Sequence, residues 1–262
     1  MKLEHQNIDN DFGISYFAIT ATGDRSNNED CYGHARDGEV INFIVSDGVG
    51  GSRGGVLASK MVVESSRMAP LTIEPEDLKK RFQLTSDLIK NQQSASSEYS
   101  NMGATVAEVR IHCSQQRAVW GHWGDSRVYW FRGAEIMEVT NDHSVVQSFV
   151  NAGLISANDA MHHPKKNILM GAFGVEGSVE NEVKAQPVYL AQGDAFLLCT
   201  DGFWGLVPES KMIDSLKEAS SVEVWIKSME KCIVAGTSAN KDNYTAIGVW
   251  ITSPSDKTIQ FM

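Results

Sequence analysis

Short runs of β-branched and aromatic residues, separated by polar turns, dominate the hydrophobic pattern of the chain and predict β-strands. These runs cover residues 15–20, 40–45, 105–111, 117–123, 127–131, 195–199 and 244–251. Asp37 and Gly38 stand just ahead of the second run and predict a hairpin turn. Most runs follow one another without a helix between them, which favours antiparallel sheets over a parallel βαβ arrangement.

Helical periodicity is clearest in two stretches. The first follows Pro75 and repeats on one face, at Leu78, Phe82, Thr85 and Ile89. The second begins with a capping box at 220–223 and continues on one face with Trp225, Met229, Cys232 and Ile233. Another helix start is predicted at 142–143, with Asp142 as its N-cap.

The chain shows no internal repeat and no linker rich in proline and glycine. We therefore predict a single domain over residues 1–262, with helices packed outside the sheets. The polar stretch 142–174, which carries histidines and lysines, is predicted to be an inserted lobe of that domain.

Composition and charge narrow the function classes. With 42% hydrophobic and 21% charged residues, the chain is typical of folded globular proteins. Its 23 basic and 33 acidic residues give a net charge of −10, which argues against nucleic-acid binding because that depends on clustered Lys and Arg. Clustered carboxylates can instead hold divalent cations.

The chain carries no sequence signal for a membrane or for secretion. It has no apolar run of the roughly 18 residues that a membrane helix needs, and no secretory signal at its start. The four cysteines stand far apart, which favours reduced, mostly buried thiols. We therefore expect the protein to work in the cytoplasm.

Acidic residues stand at the ends of three predicted strands. Asp47 and Asp201 each end an apolar run and precede a glycine, and Asp242 comes just before the run that begins at 244. Three such carboxylates at one sheet edge would suit a hard divalent cation such as Mg²⁺. Turns and helix caps explain the same residues about equally well, so spacing alone leaves both interpretations open.

The glycine-rich stretch 48–53 does not complete a nucleotide-binding motif. Arg53 stands where the motif GxGxxG requires its third glycine, and the chain has no GK[ST] sequence. Dinucleotide binding is therefore disfavoured.

A set of motifs gives the chain a family resemblance. In order they are GDRSNNED at 23–30, VSDGVGG at 45–51, GAT at 103–105, GDSR at 124–127, DHS at 142–144, TDG at 200–202 and DN at 242–243. Over residues 15 to 251 the chain resembles metal-dependent type 2C serine/threonine protein phosphatases. The resemblance implies an α+β fold, a four-layer α/β/β/α sandwich of two antiparallel sheets flanked by helices.

The resemblance also implies a centre of two Mn²⁺ or Mg²⁺ ions at one end of the sandwich. Asp47 would bridge the two ions, and Asp201 and Asp242 would complete the protein ligands of the first. The Gly48 carbonyl would bind the second ion. A water activated by both ions would then attack the phosphate directly, without a covalent phosphoenzyme.

Residues of the first motif are implied to surround that centre. Glu29 and Asp30 would hold the waters of the metal ions, directly or through the next layer of contacts. Arg25 would bind the substrate phosphate, because its planar fork of N–H groups matches phosphate oxygens. The alternative for Arg25 is a surface ion pair with Glu29, but its place in the motif favours the phosphate contact.

The chain departs from the family pattern at Val49 and Gly205, and these departures affect the expected roles of Asp125 and of the general acid. Val49 stands where many eukaryotic relatives have a histidine that is the usual candidate for the general acid. In lacking that histidine the chain resembles bacterial members of the family. Gly205 stands where many relatives have a carboxylate for a third metal ion, so a third ion near Asp125 is expected to bind weakly. An ordinary turn explains Asp125 nearly as well. The lobe at 142–174 corresponds to a flap beside the active site and carries a basic cluster, His162, His163, Lys165 and Lys166.

Two functions of different classes follow from the resemblance. The first is a monomeric protein phosphatase that acts on phosphoserine and phosphothreonine in proteins, opposes a bacterial Ser/Thr kinase and binds neither nucleic acid nor membranes. The second is a phosphoprotein-binding module that has lost turnover. Val49 and Gly205 favour the module, whereas the three intact aspartates favour the enzyme.

Overall fold

β-Strands form the centre of the molecule. The computed structural model describes residues 2–8, 13–237 and 240–252. In chain order the strands are β1 (Lys2–Ile8), β2 (Gly13–Ala21), β3 (Cys31–Asp37), β4 (Val40–Ser46), β5 (Gly48–Val49), β6 (Gly103–Ala104), β7 (Val106–His112), β8 (Arg117–Trp123), β9 (Arg127–Arg132), β10 (Glu135–Val139), β11 (Glu182–Val183), β12 (Val188–Tyr189), β13 (Ala195–Cys199) and β14 (Tyr244–Thr252).

The strands pair antiparallel in two large sheets. The first has the order β1-β2-β14-β13-β9-β10, and the second has the order β11-β8-β7-β4-β3, with β12 also pairing with β8. The short strands β5 and β6 pair separately. In the second sheet Asp37 pairs with Val40, so the hairpin predicted at Asp37 and Gly38 is confirmed.

The main core lies between the two sheets. Alternate residues of each strand face inward, since side chains of a strand point to opposite faces. Tyr16 and Phe196 of the first sheet are buried against Phe43 and Val109 of the second. The rings of Tyr16 and Phe43 lie 5.1 Å apart, tilted toward each other.

Helices cover the outer face of each sheet. In chain order the helices of the described residues are α1 (Ser52–Ser66), α2 (Pro75–Ala95), α3 (Val145–Asn151), α4 (Ala157–His162), α5 (Asp201–Trp204), α6 (Glu209–Glu218) and α7 (Val222–Ala235), with a 3-10 turn at Ser97–Tyr99. Helices α1 and α2 pack on the second sheet, where Phe82 is buried, and α6 and α7 pack on the first, where Trp225 meets Phe131 edge to face. The predicted α+β sandwich with the layers α/β/β/α is confirmed. Among the described helices, none has the length and apolar character to cross a bilayer.

The predicted elements agree with the structure except at two helix starts. Every predicted strand is present to within about two residues, and the predicted face of α2 is buried. The cap of α7 is Ser221 rather than Ser220, because the Ser221 side chain accepts the N–H of Val224. Asp142 is not an N-cap either: Ser144 caps α3, accepting the N–H of Gln147 at 3.2 Å.

Antiparallel pairing gathers several strand ends at one end of the sandwich. Cys199, the last residue of β13, pairs with both Ala246 and Arg127, near the starts of β14 and β9. In the other sheet Ser46, the last residue of β4, pairs with Cys31, the first residue of β3. The loops at these ends therefore face one another, and they carry the acidic motifs.

Candidate active site

Carboxylates from distant parts of the chain meet at this end of the sandwich. Asp47 follows β4, Asp201 begins α5 just after β13, and Asp242 precedes β14. They line a cavity of about 360 Å³. Most other sequence-predicted site residues line it as well: Arg25, Glu29, Gly48 and Asp125. Asp30 is not among the lining residues.

Thr105 fixes the turn that carries Asp47. The Asp47 N–H donates to Thr105 Oγ1 and the Thr105 N–H donates to the Asp47 carbonyl, each at 2.9 Å. Thr105 Oγ1 also lies 2.7 Å from Ser126 Oγ, next to Asp125. One threonine thus joins the turns that present two of the acidic residues.

Asn243 fixes the loop that carries Arg25 and Glu29. Its Oδ1 accepts the Glu29 N–H at 2.8 Å, and its Nδ2 donates to the carbonyls of Thr22 and Asn27 at 2.9 and 2.8 Å. The side chain is buried, so these bonds are shielded from water. The loop is therefore tied to the residue that directly follows Asp242.

Arg25 lies at the rim of the cavity. Its Nη2 donates to Asp242 Oδ2 at 2.7 Å, and its side chain is 58% exposed. This contact occupies one of the five N–H groups of the guanidinium. This position suits the predicted contact with a phosphate at the cavity mouth. The ion pair of Arg25 is with Asp242 and not with Glu29.

Asp30 does not line the cavity, and only one of its two carboxylate oxygens has a hydrogen-bond donor. Thr200 Oγ1 donates to Asp30 Oδ2 at 2.9 Å, but Asp30 Oδ1 is buried without a hydrogen-bond partner. Burial raises the pKa of Asp30 to about 7, and the charges of Asp201 and Asp242 add to the rise.

The other acidic residues experience the same unfavourable field. Burial raises the pKa of Asp47, Asp125 and Asp201, and the neighbouring carboxylates raise it further. Arg25 is the one cationic side chain among the described lining residues. Hard oxygen donors in excess, together with the unpartnered oxygen of Asp30, fit a site for divalent cations.

Asp125 is held from the α5 side. Trp204 Nε1 donates to the Asp125 carbonyl at 2.8 Å, and the Arg127 guanidinium lies 3.5 Å from the centre of the Trp204 ring. Arg127 also donates two hydrogen bonds to Asp142, each at 2.8 Å. This bidentate pair occupies both carboxylate oxygens of Asp142, which stands two residues before the Ser144 cap of α3. Gly205 is exposed and adds no carboxylate beside Asp125.

Sequence reasoning assigned no role to three residues that position the site. Thr105 and Asn243 belong to the motifs GAT and DN, and Trp204 stands two residues after the motif TDG. Their position beside the acidic residues was the available signal. Their contacts join segments far apart in the chain, so the roles become visible only in three dimensions.

Comparison with known proteins identifies the family. A family model described as protein phosphatase 2C matches residues 21–237. The chain belongs to the protein phosphatase 2C family. This confirms the predicted resemblance and the predicted enzyme class, a protein phosphatase.

Relatives of this phosphatase family cover most of the chain. The serine/threonine phosphatase stp of Listeria welshimeri is 36% identical over 237 residues, which are 85% of this chain and 90% of that protein. Protein phosphatase PhpP of Streptococcus pneumoniae is 30% identical over 198 residues, 72% of this chain and 78% of that protein.

Solved phosphatase structures share the fold. The serine/threonine phosphatase of S. agalactiae has a TM-score of 0.78 and 26% identity, covering 91% of this chain and 99% of that one. The catalytic domain of the phosphatase PstP, solved in complex with two manganese ions, has a TM-score of 0.76 and 24% identity, covering 92% and 99%. The family to which this chain belongs uses divalent metal ions.

The raised pKa of Asp30 predicts a pH effect on stability. A carboxyl group whose pKa is higher in the folded state destabilises that state as pH rises from its unfolded pKa to its folded one. In metal-free protein, Asp30→Asn should therefore gain stability over the wild type as pH rises from about 4 to about 7. Thermal unfolding in a chelator measures the difference.

Asp214→Asn, on the exposed face of α6, is the matched control for that measurement. It should follow the wild type across the same pH range. A constant offset between Asp30→Asn and the wild type would contradict the burial of a charged Asp30.

Proposed function

We propose that this chain is a metal-dependent phosphatase that removes phosphate from phosphoserine and phosphothreonine in proteins. The observation that carries the proposal is the convergence of Asp47, Asp201 and Asp242 on one cavity with Arg25 at its rim. Membership of a phosphatase family and the names of the relatives support the reaction class.

The acidic residues would hold two Mn²⁺ or Mg²⁺ ions. Asp47, Asp201, Asp242 and the Gly48 carbonyl are the proposed direct ligands, and Glu29 lines the same cavity. Asp30 would act through water, because it is not among the lining residues. When bound, two such ions lower the pKa of a water molecule and neutralise phosphate charge.

A third ion would lie near Asp125, where the chain offers fewer oxygen ligands. Asp125 lines the cavity, and Asp201 is the neighbouring charge that most raises its pKa. Gly205 supplies no oxygen from a side chain. We therefore propose that a third ion, if added at high concentration, binds more weakly than the first two.

Phosphate binding and proton donation to the leaving group are the two remaining roles in the cavity. Arg25 can use its free face to orient the phosphate oxygens by hydrogen bonds. Val49 lines the cavity with an apolar side chain, and the described lining residues include no histidine. We therefore assign the proton for the leaving serine or threonine oxygen to water rather than to a side chain.

The lobe at 142–174 is proposed to be a flap that contacts the protein substrate. Asn167 and Leu169 line the cavity, and the charge of Lys166 lowers the pKa of Asp201 against the larger effect of burial. His162, Lys165 and Lys166 are exposed. Positive charge at the mouth of an acidic protein would attract an acidic phosphopeptide.

A cognate Ser/Thr kinase, a monomeric state and a cytoplasmic location remain predictions. The kinase follows from the substrate chemistry, since phosphorylated proteins must be supplied. The free cysteines Cys31, Cys113, Cys199 and Cys232 support a reducing compartment. The single domain over residues 1–262 also stays a prediction.

Hydrolysis of an aryl phosphate with and without Mn²⁺ separates the enzyme from the binding module. We expect turnover that depends on Mn²⁺. Asp201→Asn and Asp242→Asn should each lower kcat about 100-fold or more. Substitution of a residue that only supports a metal ligand already lowers metal affinity or activity by about 10–100-fold. Asp214→Asn should retain wild-type turnover. Wild-type protein without turnover in Mn²⁺ would support the binding module instead, and full turnover of both variants would refute the ligand assignment.

Charge reversal on the proposed flap tests the substrate contact. Lys165→Glu with Lys166→Glu should lower kcat/KM for an acidic phosphopeptide about tenfold at low salt, because electrostatic attraction to the cavity mouth is lost. Turnover of an aryl phosphate should change little. Lys217→Glu with Lys231→Glu makes the same change in charge on α6 and α7, away from the cavity lining, and should leave both substrates unaffected. Equal losses on both substrates in the flap variant would contradict the contact.

A further inference from the structure

Two buried histidines form a second cluster of titratable groups beside the active site. The rings of His122 and His143 stack with their centres 4.5 Å apart, and Glu182 Oε1 lies 3.7 Å from His143 Nε2. Ligand atoms of the three residues lie within 4.8 Å of one another. His143 Nε2 is buried and has no hydrogen-bond partner.

The hydrogen bonds of His143 argue against a metal site there. The Gly124 N–H donates to His143 Nδ1 at 3.2 Å, so Nδ1 carries the lone pair. In neutral imidazole the other nitrogen then carries the proton, which leaves Nε2 without a lone pair for a metal. Burial lowers the pKa of His143 to about 4, so the ring is neutral near pH 7.

His143 instead forms hydrogen bonds with both the backbone N–H and the backbone carbonyl of Gly124. Besides the bond to Nδ1, the His143 N–H donates to the Gly124 carbonyl at 2.9 Å. Gly124 has φ +106, and a Cβ there would lie 2.6 Å from Thr105 Cγ2, so this tight turn requires glycine. The next residue is Asp125, whose own carbonyl is held by Trp204.

The same residue is joined to the proposed flap. The Met170 N–H donates to the His143 carbonyl at 2.7 Å, and the Val145 N–H donates to the Ile168 carbonyl at 2.9 Å. Between these two hydrogen bonds, Ser144 forms an isolated antiparallel β-bridge with Leu169, and Leu169 lines the cavity. One residue therefore contacts the Asp125 turn through its side chain and the flap through its backbone.

His122 keeps the His143 ring in place. It stacks on that ring, and its Nε2 is bonded to the Asn141 carbonyl at 2.7 Å, two residues before His143. Both rings are almost completely buried. The ring of His143 is thus fixed on one face by packing and at one edge by Gly124.

We propose that His143 is a positioning residue that holds the Asp125 turn and residues 168–170 of the flap in one arrangement. The inference rests on the proposed phosphatase function. It assigns His143 no contact with substrate: the residue acts through Gly124 and Met170.

Paired substitutions of His143 test the inference. His143→Asn places an amide oxygen near the position of Nδ1 and can still accept the Gly124 N–H, whereas His143→Leu has similar bulk and no acceptor. With an aryl phosphate and saturating Mn²⁺, His143→Leu should lower kcat about tenfold, the effect of one lost buried hydrogen bond, with KM little changed. His143→Asn should recover most of that loss.

Amide hydrogen exchange supplies a readout that does not depend on turnover. His143→Leu should speed exchange at 124–126 and also at 168–170, while the midpoint of global unfolding shows that the fold persists. If His143→Leu does not fold, His143→Gln replaces it, because its amide lies one bond too far to occupy the Nδ1 position.

Two results would overturn the inference: unchanged exchange at 168–170, or equal activity of the Asn and Leu variants. Wild-type protein without Mn²⁺-dependent turnover would instead overturn the proposed function, and the exchange result would still decide whether His143 joins the two segments.

Discussion

Mutual repulsion among partly buried carboxylates is the constraint on which the rest of this structure depends. Asp30, Asp47, Asp125, Asp201 and Asp242 lie at one end of the sandwich. Burial raises the pKa of the first four, and the charges of neighbouring carboxylates add to the rise. Such an arrangement disfavours folding unless protons or cations neutralise it. Gathering these groups lowers the stability of the metal-free fold, so their arrangement is explained by cation binding and not by folding alone.

The fold opposes this repulsion with neutral hydrogen bonds. Thr105 ties together the turns of two acidic residues, Asn243 holds the Arg25 loop, and Trp204 and His143 bracket the turn at Asp125. None of these side chains brings a charge into the site at neutral pH. These four contacts therefore fix the loops that carry the carboxylates without adding a charge, and the ion pair of Arg25 with Asp242 Oδ2 lies at the exposed rim.

The strands and the acidic residues of the site could be predicted from the sequence, whereas most of the side-chain contacts that position them could not. Strands were visible because apolar runs reflect burial between sheets, and the acidic residues because they follow those runs. The sequence pattern places the cap of α7 one residue early because Ser220 and Ser221 offer the same hydroxyl. The local pattern predicts Asp142 as a cap because it does not reveal the actual partner, Arg127, which lies 15 residues earlier on β9. The bonds of His143 and Asn243 are likewise between segments distant in the chain.

The most direct test is an anomalous diffraction measurement on crystals of the wild-type protein soaked in Mn²⁺. The account predicts two strong peaks in the cavity, within bonding distance of Asp47, with Asp201 and Asp242 contacting one of them. A map with well-ordered aspartate side chains and no manganese between them would contradict the central claim that these residues gather to hold metal ions.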